Sequence, residues 1–125
     1  MKNSSKIIEI PTFKDERGLL TVMENILPFK IKRIYWIYGA DEQSRGGHRH
    51  KITKQALVAV SGIIDLKIID GNKETLYILD NPSKCLIVEP EDWHKMFFRN
   101  NAVLLVFASH AYDKKDYIEN PLKIK

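Results

Sequence analysis

Cysteine occurs once in this chain, at Cys85, so no disulfide can form within it. Its surroundings, Cys85-Leu86-Ile87-Val88, are apolar, which predicts a buried thiol and a reducing, cytoplasmic setting. No apolar stretch reaches the roughly 18 residues that a spanning helix needs. Met1-Lys2-Asn3-Ser4-Ser5 lacks the apolar core of a secretory signal, so neither a membrane nor export is expected. Helical periodicity is equally scarce: there is no amphipathic stretch of three turns, and Asp113–Ile118 has room for one turn at most. Internal repeats and low-complexity tracts are missing too. At 125 residues and 44% hydrophobic content, the chain suits one domain with one core, spanning residues 1–125. Positive charge is in modest excess, +4 with a pI of about 9.1. It is scattered, apart from Lys30-Ile31-Lys32-Arg33 and the 45–51 stretch. A small phosphate-bearing ligand suits so modest an excess as well as any polymer does, and no nucleic-acid partner is expected.

What is present is β punctuation: short apolar runs broken by Gly, Pro, Asp and Asn at intervals of roughly 8–12 residues. The pattern predicts strands at Lys6–Ile10, Leu19–Glu24, Ile31–Tyr38, Gln55–Val60, Ile63–Ile69, Glu74–Leu79, Leu86–Val88, Lys95–Phe98 and Val103–Ser109. Asp70-Gly71 reads as a tight hairpin. Val103–Ala108 is apolar on both faces, as in a strand covered on both sides. So many short strands in so short a chain predict an all-β jelly roll or barrel.

Chemistry concentrates at Arg45-Gly46-Gly47-His48-Arg49-His50-Lys51, followed by Gln55 and Gly62. In an extended segment side chains two apart share a face, so His48 and His50 point together and Arg49 points away. Paired imidazoles suit proton transfer or metal binding, because histidine titrates near neutrality. The spacing resembles the first signature of the cupins, a glycine-led His-x-His with an acidic or amide residue and then a glycine downstream. Gln55 stands where metal-binding cupins usually carry glutamate, and Pro90-Glu91-Asp92-Trp93-His94 fits the weaker second signature.

Five ordered segments sharpen this: Ile31-Lys32-Arg33-Ile34-Tyr35, Arg45-Gly46-x-His48-x-His50-Lys51, Gln55, Trp93-His94-x-Met96, and Ala108-Ser109-x-x-Tyr112-Asp113-x-x-Asp116-Tyr117-Ile118. Together they resemble the WxcM-like nucleotide-sugar 3,4-ketoisomerases, cupins that act on dTDP-4-keto-6-deoxyglucose. The resemblance covers nearly the whole chain. It implies a cupin jelly roll, a homodimer that exchanges N-terminal strands, and catalysis without metal or organic cofactor in the making of 3-amino-3,6-dideoxyhexoses for O-antigen or S-layer glycans.

Moving a ketone from C4 to C3 requires removing the C3 proton, forming an enediol and returning a proton to C4, which is general acid–base chemistry. His48 is expected as the base and His50 as the relay between the oxygens, with the two assignments exchangeable. The resemblance makes Tyr35 a group that hydrogen-bonds a sugar oxygen or protonates C4. Gln55 would hold an imidazole or a sugar hydroxyl, or simply bond the backbone. Arg33 and Arg45 are implied at the diphosphate, and Trp93 either stacks on thymine or fills the core. Arg17, in the turn Asp15-Glu16-Arg17-Gly18, joins the set by resemblance alone. Arg17 together with Trp93-His94 resembles the branch that forms the galacto product, whereas tyrosine and Trp-Arg resemble the gluco-forming branch. Two other classes stay open: a metal-dependent cupin with His48, His50, His94 and Gln55 as ligands, and a sugar-binding module without turnover. The related 3,5-epimerases are longer chains with a different His–Asp arrangement.

Overall fold

The computed structural model describes residues 5–122. Ten strands account for nearly all regular structure: β1 (Lys6–Glu9), β2 (Thr12–Asp15), β3 (Gly18–Thr21), β4 (Arg33–Ile37), β5 (Ser44–His50), β6 (Gln55–Asp70), β7 (Lys73–Leu79), β8 (Lys84–Val88), β9 (Trp93–Ala108) and β10 (Tyr117–Ile118). One 3-10 turn, Lys114–Asp116, precedes β10. No helix among the described residues is long and apolar enough to cross a membrane.

Strands β6 and β9, 16 residues each, pair antiparallel from Gln55↔Ala108 to Ile69↔Trp93. Their first and last halves acquire different neighbours. Gln55–Leu57 also pairs with β8, which carries β1, while the matching end of β9 also pairs with β4. Beyond the midpoint β6 takes β7 as its second partner and β9 takes β5, which carries β10. The sheet therefore turns over on itself along one long ribbon. The interior side collects Leu57, Ala59, Ile64, Leu66, Leu79, Leu86, Phe98, Leu104 and Val106 from both halves. The far side of the first half buries Ala56, Val58, Cys85, Ile87 and Phe107 beneath Met23, Ile26, Leu27 and Phe29 of the β3–β4 connection. Val103–Ala108 thus reads apolar on both faces because Leu104 and Val106 face one cluster while Leu105 and Phe107 face the other.

Several expected boundaries need correction. The separate runs expected at 55–60 and 63–69 are one strand, as are 95–98 and 103–109, because the ribbon bends at Gly62 without breaking. Register shifts flank Ser61 there. Gly62 has φ +70°, and a Cβ on it would lie 2.5 Å from Ala102 Cα. Strands β2, β5 and β10 were not anticipated: β2 is exposed throughout, β5 holds no aliphatic residue, and β10 is two residues long. The hairpin at Asp70 exists, with Gly71 and Asn72 as its loop between Asp70 and Lys73.

Gly62→Ala is expected to destabilise the fold well beyond the roughly 1–2 kcal/mol that a left-handed alanine costs. Gly39→Ala serves as the control, since Gly39 has φ +71° but nothing within 4 Å of a new Cβ. Urea denaturation giving equal losses for the two variants would show that close approach to β9 contributes nothing.

Candidate active site

The turned-over ribbon leaves a cavity of about 340 Å³ walled by residues of four strands. Strand β4 supplies Arg33, Tyr35 and Ile37; β5 supplies Arg45, Gly46 and His48; β9 supplies His94 and Met96; β10 supplies Tyr117. Gly46 lets β5 approach β9, since a Cβ there would lie 3.0 Å from the His94 carbonyl oxygen and 3.3 Å from Met96 Cε. A bulge follows, and His48 then sits opposite His94 across the ladder.

Three imidazoles meet there. Ring centroids are 5.0 Å apart for His48–His50, 4.8 Å for His48–His94 and 5.6 Å for His50–His94. As alternation requires, Arg49 turns outward, donating to the Asn120 carbonyl at 2.8 Å and pairing with Glu91. Burial drives all three histidines toward the neutral form. His48 is lowered by desolvation, against a hydrogen bond to the Gly46 backbone. His50 falls to about 4, through burial and then the neighbouring His48, and His94 falls to about 3 for the same two reasons in the same order. Nδ1 of His94 lies 3.1 Å from the Asp92 carbonyl oxygen, which can only accept, so this nitrogen carries the proton and Nε2 keeps its lone pair. Nε2 of His50 is buried without a hydrogen-bond partner.

Around them the cavity is cationic and phenolic. Tyr35 accepts from Gln55 Nε2 at 2.9 Å, which occupies the phenol oxygen as acceptor and frees its hydrogen for a ligand. Burial raises the Tyr35 pKa, so the phenol stays protonated. The Arg33 guanidinium lies 5.3 Å from the Tyr35 ring centre and 5.8 Å from that of Tyr112, with Nε buried and unpartnered. No carboxylate lines this cavity among the described residues.

Of the residues singled out from the sequence, Tyr35, Arg33, Arg45, His48 and His94 come together on the cavity wall. His50 lies behind them at 2% exposure, and Gln55, 1% exposed, acts through Tyr35. Two stand elsewhere. Trp93 faces away from His94, packs over Gly47 and donates its indole N–H to the Glu119 carbonyl at 2.7 Å. Arg17 is at the tip of the β2–β3 hairpin, 86% exposed and paired with Asp15 at 2.6 Å. Tyr117 was not singled out, although it lies within the distinctive tail; its ring packs 4.8 Å from His48 and 4.5 Å from His50.

The ligand atoms of His48, His50 and His94 lie within 4.8 Å of one another, so the cluster fits the donor count of a three-ligand divalent site. Such an ion would act as a Lewis acid on a carbonyl oxygen.

A jelly roll whose inner face carries His-x-His opposite a third histidine, beneath a cation-lined mouth, defines an enzyme of cupin type. Residues 3–124 match the family described as FdtA: WxcM-like, C-terminal. The chain belongs to this family and is an isomerase. It is 39% identical over 118 residues to the TDP-4-oxo-6-deoxy-alpha-D-glucose-3,4-oxoisomerase of Aneurinibacillus thermoaerophilus, covering 91% of this chain and 85% of that one. The QdtA 3,4-ketoisomerase of Thermoanaerobacterium thermosaccharolyticum superposes with a TM-score of 0.90, covering 96% of this chain and 90% of that one. Its identity to this chain is 37% in the TDP complex, 39% in a double variant with tyrosine-to-arginine and arginine-to-histidine changes, and 36% in a histidine-to-asparagine variant solved with TDP-4-keto-6-deoxyglucose. The WlaRB TDP-quinovose 3,4-ketoisomerase of Campylobacter jejuni is 38% identical with a TM-score of 0.88, covering 96% of this chain and 95% of that one.

The depressed histidine pKa values have a consequence for stability. Between the unfolded value of about 6.5 and the folded values of about 4 and 3, the unfolded chain binds more protons than the folded one, so stability is complete above pH 6.5 and falls with pH. Each of His50 and His94 is expected to contribute a slope of up to ~1.4 kcal/mol per pH unit in that window. Chemical denaturation at pH 7, 6, 5 and 4 measures it, and a His94→Asn variant should show the shallower curve.

Proposed function

We propose that the chain is a TDP-sugar 3,4-ketoisomerase that converts TDP-4-keto-6-deoxy-D-glucose to TDP-3-keto-6-deoxy-D-galactose by cofactor-free acid–base chemistry. The observation that carries this reading is the half-buried, neutral His48 on the wall of a cavity that also presents a protonated phenol and two arginines. The C4 carbonyl acidifies the C3 hydrogen, so a neutral imidazole suffices to remove it, with His48 as base and His50 as the second imidazole of the relay. Tyr35, its oxygen already bonded by Gln55, directs its hydrogen to O4 or supplies the proton at C4. Arg33 and Arg45 hold the diphosphate, since guanidinium groups bond its oxygens in pairs. The histidine-to-asparagine variant of the Thermoanaerobacterium enzyme, solved with the keto sugar, supports a histidine base.

The galacto product rests on Arg17 and His94. A double variant of the Thermoanaerobacterium enzyme carries a tyrosine-to-arginine and an arginine-to-histidine change, the same two residue types that this chain has at Arg17 and His94. Overall identity does not follow product, since a TDP-quinovose enzyme is 38% identical. For Arg17 to reach a sugar, its hairpin must enter another copy. Support comes from β2–β3, which among the described residues pairs only with itself and exposes Phe13, Leu19 and Leu20, and from β4, which among them pairs only with β9 and exposes Ile34, Trp36 and Tyr38. We therefore propose a homodimer that exchanges these N-terminal strands, working on a small nucleotide sugar with no nucleic-acid or membrane partner, in the cytoplasm. A metal-dependent reading is favoured only by the spacing of the three imidazoles.

Purified protein incubated with TDP-4-keto-6-deoxyglucose is expected to form the 3-keto product without added cofactor; in D₂O the product gains deuterium at C4, and in H₂O it shows a small H4–H5 coupling after trapping by a 3-aminotransferase. A large trans-diaxial coupling would give the gluco product instead, and activity that tracks stoichiometric Fe, Mn, Ni or Zn would install the metal reading. Binding without turnover would leave a sugar-binding module. Leu19→Asp with Leu20→Asp should convert a dimer into monomers by light scattering; an unchanged mass would place the interface elsewhere.

A further inference from the structure

The cavity has a second phenol. Tyr117 lies on β10 directly across from His50, and its ring touches both imidazoles of the His-x-His pair while lining the cavity. Its position is fixed from behind. The carboxylate of Asp116, 6% exposed, accepts from the Ile52 amide at 2.8 Å and from the Thr53 hydroxyl, and its carbonyl accepts from the Lys51 amide at 2.9 Å. Burial alone would raise this carboxyl's pKa, but those hydrogen bonds and the nearby His50 hold it below the usual range, so it stays ionised and the tail stays fastened to the segment that directly follows the strand of the histidines. His50 itself is 2% exposed and does not line the cavity. An imidazole so placed reaches a sugar oxygen only through a group that does line it.

Resting on the ketoisomerase reading, we propose that Tyr117 is a catalytic residue, the cavity-wall member of the relay with His50 and the group that carries a proton between the two sugar oxygens. As the C3–H bond breaks to His48, its electron pair becomes the C3–C4 double bond, and the C4 carbonyl pair moves onto O4, which takes the phenol proton of Tyr117. The phenolate then removes the O3 proton as the C3 carbonyl forms, and the double-bond pair takes at C4 the proton held by the imidazolium. Tyr117 and His48 both end as they began, and no oxidant or reductant is needed. The phenols divide the work: Tyr35 is a fixed donor, because Gln55 occupies its oxygen, whereas Tyr117, packed against both imidazoles on the cavity wall, gives and takes.

Tyr117→Phe keeps the ring against both histidines and removes only the hydroxyl. In D₂O with TDP-4-keto-6-deoxyglucose, this variant is expected to lose product formation by about 10²-fold or more. KM should change little, and deuterium should still enter C3 of recovered substrate at a rate within about tenfold of wild-type turnover, because His48 can still form the enolate. His48→Asn loses both exchange and product. Wild-type product formation by Tyr117→Phe overturns the proposal, as does an equal fall in exchange and isomerisation, which would mark a ring that only packs. If the wild-type chain itself neither exchanges nor isomerises this substrate, the ketoisomerase reading falls and takes the role of Tyr117 with it.

Discussion

Everything in this molecule hangs on the antiparallel pairing of β6 with β9 and on the bend that pairing takes at Gly62. A pair of 16-residue strands is too long to remain straight in a chain of this size, and sheets twist. The bend converts one ladder into two facing halves, so that Leu57 and Leu104 from one half meet Leu66 and Phe98 from the other. Only glycine can stand at the crossing, because backbone of β9 occupies the space where a side chain would begin. The active site follows from this geometry: β4 pairs with the far end of β9 and β5 with its near end, and the bend brings their inner faces around one cavity.

How much was legible in the sequence depended on whether hydrophobic burial or pairing makes each element. Core strands such as β8 and the far half of β9 are legible because their apolar residues have nowhere else to go. Strand β5, Ser-Arg-Gly-Gly-His-Arg-His, is invisible to hydrophobic patterning, and its extended form was inferred only through the alternation of His48 and His50. The alternation itself holds, with Arg49 turned out to Asn120 and Glu91. Trp93 illustrates the opposite limit. Its neighbour His94 points into the cavity, so strand alternation alone sends the indole outward, where it binds Glu119. Tyr117 could have been found from the tail motif, but nothing local in Asp-Tyr-Ile reveals a partner 67 positions upstream at His50. The β2–β3 hairpin was half legible: its turn was read, while the exposure of Phe13 and Leu19 is a property of the folded chain.

The electrostatics of the cavity link the histidine cluster to the phenols. A neutral imidazole that takes a proton from carbon becomes a cation, here in a desolvated site already walled by Arg33 and Arg45 and next to two further imidazoles. That charge is unfavourable unless a negative charge appears with it, close by and at the same moment, because opposite charges attract far more strongly in a low-dielectric site than in water. In the proposed isomerisation the enolate oxygen at C4 provides it. Under the proposed mechanism, proton removal at C3 and charge development at O4 are therefore coupled by the site itself, since among the described residues no carboxylate lines the cavity beside His48. A carboxylate there would raise the histidine pKa and leave the base protonated at neutral pH. Burial keeps the proposed base His48 free until substrate arrives, and under that proposal the phenols at the same wall limit the lifetime of the charge by protonating the oxygen on which it forms.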